Sequence, residues 1–87
     1  MDNYAASASR LRYAWGIEPK AADYLLRMYV RPNHVAEHRH LPAKSKDARR
    51  TVINHLRRKV GNIITFPGHG YGLPPEVAEV IREVIGW

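Results

Sequence analysis

Prolines and glycines punctuate this chain so regularly that none of its elements can be long. Six of each stand among 87 residues: Gly16, Pro19, Pro32, Pro42, Gly61, Pro67, Gly68, Gly70, Gly72, Pro74, Pro75 and Gly86. Proline has no N–H to give a helix interior, and glycine ends helices by entering the left-handed region cheaply. Between these stops, the spacing of apolar residues decides the type of each segment. Tyr4, Ala8, Leu11 and Trp15 fall at helical spacing and predict a helix over 4–15. Pro19 suits the first turn of a second helix, 19–31, with Ala22, Leu25, Leu26 and Tyr29 on its apolar side. Pro32 disfavours helix before it.

Asn33 is a good N-cap for a short third helix, 33–41, with Val35, Ala36 and Leu41 apolar and Pro42 to close it. Ser45 can cap a fourth, 46–60, which Gly61 stops. The β-branched NIITF reads as a strand, Pro-Gly-His-Gly turns the chain, and YGL returns, giving a hairpin over 62–73. Pro74-Pro75 opens a last helix, 75–85, whose Val77, Val80, Ile81, Val84 and Ile85 make one apolar stripe. The fold class expected is mainly α with a small β-hairpin. A short helix, a tight connection and a longer basic helix make a helix-turn-helix, and a hairpin directly after it makes the motif winged. Helices 4–15 and 75–85 are then N- and C-terminal additions to a single domain, 1–87.

A domain this small buries only roughly 60–65% of its unfolded surface, which leaves little room for an enclosed catalytic pocket. No Ser/His/Asp arrangement with supporting context is present, so no enzyme, no catalytic residue and no cofactor is expected. The chain has no cysteine, which excludes disulfides and thiolate metal sites. No apolar run approaches the ~20 residues of a membrane span, and the first fifteen residues make a poor secretory leader. The expectation is a cytoplasmic, nucleoid-associated protein with no membrane partner.

The net charge is +6, and its distribution says more than its size. Lys44, Lys46, Arg49, Arg50, Arg57, Arg58 and Lys59 face one anion, Asp47, in the segment 44–59. The rest of the chain is balanced, so the whole excess lies in one short region. Such concentration is the footprint of a polyanion partner. On a helical projection, Ala48, Val52, Ile53, Leu56 and Val60 share one face, while Asp47, Arg50, Thr51, Asn54 and Arg58 line the opposite one. Arg57, Lys59 and His55 flank that stripe, and Arg49 falls near the apolar side. Arginine pairs bidentately with guanine and asparagine with adenine in the major groove, so the stripe suits duplex DNA.

The run INHLRRKVG followed by NIITFPGHGYGL resembles the winged-helix output domain of two-component response regulators of the OmpR/PhoB class. The likeness is carried by Ile53, Leu56, Arg57, Lys59, Val60 and Gly61, then Ile63, Thr65, Phe66, Pro67, Gly68, Gly70, Tyr71 and Leu73. It implies that helix 46–60 enters the major groove while the hairpin touches the adjacent minor groove or backbone. Arg50, Thr51 and Asn54 would then stand where bases are read, with His55, Arg57 and Arg58 nearer the backbone. This chain departs from the family at Pro67, where relatives usually carry Arg, so that a wing contact is either lost or passed to His69. It departs again at 4–15, which reads as helix where the family has a small sheet, and in its extra helix 75–85. It is also too short for a receiver domain. A stand-alone bacterial or phage-type transcriptional regulator fits better than a response regulator.

HVAEH, residues 34–38, matches the H-x-x-E-H pattern of a zinc peptidase, and on a helix His34 and His38 would face the same way. A peptidase needs a further ligand and a substrate cleft, so no metal site is expected there. The function expected is sequence-specific binding of double-stranded DNA. Lys46, Arg50, Thr51 and Asn54 would face bases or nearby phosphates. Lys44, Arg57, Arg58 and Lys59 would carry the electrostatic contact, and His69 would sit at the wing tip. The alternative from another class is a winged-helix adaptor that binds an acidic protein partner. A homodimer through helix 75–85 would offer two basic helices to half-sites one turn apart.

Overall fold

The computed structural model describes residues 3–87. Helix α1, Tyr4–Trp15, ends where Gly16 takes φ 61 and its N–H donates to the Arg12 carbonyl. Helix α2, Pro19–Tyr29, opens on proline at its first position. It stops short of residue 31 because Arg31, before Pro32, is extended at φ −82 and ψ 154.

Residues 33–41 do not form the helix their sequence suggests. Asn33 and His34 lie in the left-handed region, at φ 58 and φ 59, and a right-handed helix cannot run through two such residues. Val35–Glu37 is strand β1, flanked by single 3-10 turns at Pro32–His34 and His38–His40. The cause lies outside the segment, since β1 pairs antiparallel with residues 70–72. Local capping chemistry at Asn33 carries no information about that ladder. The stretch that would supply the first helix of a helix-turn-helix is therefore a short strand between two tight turns. The geometry assumed for HVAEH goes with it: His34 stacks on Tyr29 while His38 lies against Tyr71.

The turn at 38–40 is closed reciprocally. Glu37 N–H donates to His40 Nδ1 at 3.2 Å, and the Glu37 carboxylate accepts from the His40 backbone N–H. Arg27 Nη1 adds a bond to the His40 carbonyl at 3.3 Å. Arg27 Nε also pairs with Asp23 at 2.7 Å, and Asp23 accepts from the Tyr4 hydroxyl at 2.7 Å. One polar chain thus ties α1, α2 and the turn together.

Helix α3, Lys46–Lys59, starts at Ser45, whose Oγ accepts from Ala48 N–H at 3.1 Å. Strands β2, Ile64–Phe66, and β3, Gly70–Gly72, follow, joined by a turn in which Gly68 takes φ 73. Helix α4, Pro75–Ile85, closes the described chain, capped by Gly86 at φ 81. Among the described residues the architecture is mainly helical, four α-helices with a three-stranded antiparallel sheet in the order β1-β3-β2.

The sheet is pinned by glycine. Val35, Gly72 and Ile64 stand opposite one another, as do Ala36, Tyr71 and Thr65, and Glu37, Gly70 and Phe66. A Cβ on Gly70 would meet the Ala36 carbonyl oxygen at 1.9 Å, and one on Gly72 would meet the Phe66 ring at 2.9 Å. The central strand can therefore be approached closely from β1 and covered by an aromatic ring from β2. Tyr71, between the glycines, turns its ring to the buried side.

The core gathers Leu11, Leu25, Leu26, Met28, Leu41, Ile53, Leu56 and Ile81, all fully buried. Tyr24 is buried with them, and its hydroxyl donates to the Pro42 carbonyl at 2.7 Å, fastening the loop that leads into α3. Helix α4 commits Val77, Ala78, Ile81 and Ile85 to this core and leaves Val80 exposed. Among the described residues, no helix is long and apolar enough to cross a membrane.

Two outcomes follow. Gly70→Ala should destabilise by about 3 kcal/mol or more, because the added methyl meets backbone rather than a movable side chain; urea unfolding measures it. The second concerns pH. Partial burial, with Arg31 and Arg39 nearby, holds the His40 imidazole below its ordinary value. The unfolded chain then binds the extra proton first. Stability from this turn is full above about pH 6.5 and falls as pH drops from there towards the folded value. Thermal melts between about pH 7 and 5.5 should show this loss, and His40→Asn, which keeps an acceptor but does not titrate, should flatten it.

Candidate nucleic-acid interface

Helix α3 turns Ile53 and Leu56 into the core, and its remaining surface is strongly cationic. Lys46, Arg50, Thr51, Asn54, Arg58 and Lys59 are all exposed, as is Lys44 in the loop before the helix. Among the described residues, the anion near Arg50 is the exposed Asp47 carboxylate at 4.0 Å, a pair too long and too wet to hold it. The Thr51 hydroxyl donates to the Asp47 carbonyl at 2.9 Å, so it faces outward as an acceptor. Asn54 is held lightly by Arg57 Nη1 at 3.4 Å.

Arg57 has a different task from the one its sequence position suggests. Nε and Nη2 donate to the Ile63 carbonyl at 3.0 and 2.8 Å, and Nη2 also reaches Thr65 Oγ1 at 2.6 Å. The guanidinium is a brace from α3 to the start of β2. It fixes the hairpin relative to the helix, and most of its donors are engaged. His55 likewise leaves the outward stripe. It is half-buried, and Nε2 has no hydrogen-bond partner among the described residues. It lines a hollow with Glu18, Lys20, Ala21 and Arg58 on the α2 side of the helix. Arg49, whose helical position gave no clear placement, donates from Nε to the Leu41 carbonyl at 2.8 Å and so joins α3 to the loop that Tyr24 anchors.

His69 stands exposed at the hairpin turn beside Pro67. Its N–H donates to the Phe66 carbonyl at 2.9 Å, and its carbonyl accepts from His38 N–H at 3.0 Å. The tip is thereby closed on itself and fastened to the residue that follows β1. Its imidazole is left to solvent.

Between the first two turns of α3 and the hairpin lies a cleft of about 320 Å³. His38, Lys46, Arg49, Arg50, Thr65 and Tyr71 line it, with no carboxylate among its lining residues. The acidic residues of α4, Glu76, Glu79 and Glu83, lie on an element that packs against α1, and Arg82 is ion-paired with Glu79. The sequence signals for Lys46 and Arg50 were their period and charge. The sequence shows His38 only within HVAEH, and Thr65 and Tyr71 only within the hairpin; their place at this cleft depends on β1 joining the sheet. A Gly-Tyr-Gly strand able to accept neighbours on both edges was the available clue. Among the described residues, no group of three or more His, Asp or Glu stands close enough to hold a metal ion.

No protein-family model matches the chain, and no curated protein or solved structure matches it. The resemblance to response-regulator output domains rests on the motif residues alone.

If Arg57 is the brace, Arg57→Ala should loosen the hairpin while leaving α3 folded. The expected cost is about 2 kcal/mol, since hydrogen bonds from a charged donor are lost. Amide hydrogen exchange across Ile63–Phe66 should accelerate more than exchange within α3.

Proposed function

We propose that the chain is a winged-helix module that binds double-stranded DNA. Helix α3 lies in the major groove, and the β2–β3 hairpin, the wing, rests on the adjacent backbone or minor groove. The observation that carries this reading is the placement of the unpaired cations. The exposed row of α3 and the hairpin form one continuous surface, stiffened by Arg57, and all of the chain's excess charge lies on α3 and the loop before it. A B-DNA major groove about 12 Å wide admits one helix, and 14 residues of α3 span about 21 Å.

Within this reading the residues divide by chemistry. Arg50 and Asn54, near the middle of the outward face, meet base edges, and Thr51 adds an acceptor beside them. Lys44, Lys46, Arg58 and Lys59 meet phosphates, which set position without reading sequence. His69 is the group the wing tip offers, in the place where Pro67 excludes an arginine. Arg57 and His55 leave the contact set: one holds the wing, and the other faces α2. The segment before α3 is a strand and a turn, so the helix is oriented by the Tyr24 and Arg49 bonds to the 41–42 carbonyls rather than by a preceding helix. A small bacterial or phage-type transcriptional regulator is the biological role this module suits.

The test is salt dependence with duplex DNA. Several phosphates neutralised at once make affinity fall steeply between ~50 and ~200 mM salt, and a flat response contradicts the reading. Asn54→Ala should narrow the gap between preferred and other sequences by roughly ten-fold while changing affinity for mixed-sequence DNA little. Arg58→Ala should weaken binding to all sequences alike and reduce the salt slope by about one. Fluorescence anisotropy with a random-sequence duplex and a selected one distinguishes the two. An adaptor for an acidic protein would show salt-sensitive binding to that protein and no sequence preference on DNA.

A further inference from the structure

His55 stands where a structural role does not explain it. Its ring is half-buried on the α2 side of α3, and Nε2 is shut off from water with no partner among the described residues. Buried polar groups are normally paired, so a phenylalanine would fill this position at no loss of hydrogen bonds. Nδ1 makes no bond to the described residues either, but it stays open to solvent. An N–H buried without an acceptor is a costlier orphan than a lone pair, so the neutral ring carries its proton on Nδ1. One unspent donor is thus left at the hollow of about 340 Å³ that His55 lines. Thr51, His55 and Arg58 follow one another at i, i+4 and i+7 along α3, with Val52 beside them. Facing them, α2 supplies Lys20 and Ala21, and Glu18 stands just before its first residue. Ala21 and Val52 give an apolar floor, while Lys20 and Arg58 are two exposed cations against one carboxylate. Small-molecule sites have this composition: apolar surface, a few convergent polar groups, and a volume of about 300–1,000 Å³.

We propose that this hollow binds a small organic monocarboxylate with an apolar body. The carboxylate accepts from the Arg58 guanidinium, Lys20 Nζ and His55 Nδ1, and the body lies on Ala21 and Val52. Lys20 and Arg58 against Glu18 leave the lining with a net charge of +1, which one carboxylate balances. A phosphate dianion fits worse, because Glu18 opposes its second charge and the apolar floor offers its further oxygens nothing. The Thr51 hydroxyl has already given its hydrogen to the Asp47 carbonyl, so Thr51 and Glu18 are acceptors for any N–H or O–H on the ligand's body. The site itself is independent of the DNA reading; its consequence rests on that reading. Arg58 is there a phosphate contact, and it cannot hold a carboxylate and a phosphate at once. Occupancy withdraws one cation from the DNA surface, so ligand and duplex each weaken the other by the same factor. The hollow then gives the module a small-molecule input.

Benzoate, phenylacetate and hexanoate are the probes, with benzamide as a neutral counterpart and acetate as an anion without a body. Each is added at constant ionic strength to wild type, His55→Phe and Lys20→Gln while amide chemical shifts are followed. Thermal melts show that each variant is folded, and His55→Phe should melt no lower than wild type because it loses no hydrogen bond. At least one of the three acids should shift Ala21, Val52 and His55 with a Kd of about 1–10 mM, the range open to molecules this small. Benzamide and acetate should bind at least about ten-fold more weakly. His55→Phe and Lys20→Gln should each weaken the acid roughly five-fold. In anisotropy, saturating acid should lower wild-type affinity for a mixed-sequence duplex about three- to ten-fold, the loss of one phosphate contact. His55→Phe should bind duplex as wild type does without acid, and need about five times more acid for the same loss. If no acid shifts these amides at about 20 mM, or benzamide and acetate shift them equally, the site is wrong whatever the duplex does. Equal acid binding by folded His55→Phe also overturns it. If an acid binds as expected while wild type ignores duplex, the site stands and the DNA reading fails. If acid and duplex both bind without weakening each other, the input through Arg58 is overturned.

Discussion

The three-residue ladder between β1 and β3 is the constraint on which the rest of this structure depends. It runs from Val35 opposite Gly72 to Glu37 opposite Gly70. Residues 35–37 and 70–72 lie far apart in the chain, and joining them costs entropy that local contacts do not return. Once they are joined, three things follow. The segment after α2 cannot be a helix. The hairpin gains a third strand and a fixed position. Tyr71 is held with its ring towards α3. Gly70 makes the approach possible, since nothing larger fits against the Ala36 carbonyl.

The placement of α3 is a second layer built on the first. Its start is capped by Ser45, but a cap sets where a helix begins and not where it points. Direction comes from the Tyr24 hydroxyl on Pro42 and the Arg49 guanidinium on Leu41, both bonds to carbonyls of the incoming loop. Its far end is joined to the sheet through Arg57 and Ile63. The helix is thus held at both ends by side chains that bond to backbone. Its outward row is left without structural duties, which is the condition under which a charged surface can serve a ligand. Like charges this dense repel one another, and a phosphate backbone relieves that repulsion.

What could be read from the sequence, and what could not, divides along the range of the interactions. Helix ends are local matters. Gly16, Pro19, Ser45, Pro75 and Gly86 act within one turn of themselves, so the bounds of α1, α3 and α4 were legible to within a residue. The segment 33–41 was misread because Asn33 is a good cap and the residues after it tolerate a helix, while the pairing that overrules them lies 35 residues on. The site divides in the same way. The row Arg50, Thr51, Asn54, Arg58 shows itself by period and charge. Arg57 and His55 looked like members of the same surface, and only the positions of the Ile63 carbonyl and of α2 separate them from it. Tyr71 was legible as part of the hairpin; its ring contact with His38, the residue that follows β1, was not.

The central claim, that α3 and the hairpin act as one DNA-facing surface, is tested most directly by mapping amide chemical shifts while a mixed-sequence duplex is added at low salt. The account predicts perturbations along α3 from Lys46 to Arg58 and across Thr65 to His69, moving together at a single affinity, with α1 and α4 silent. Perturbations centred on α4, or on α3 without the hairpin, would contradict it.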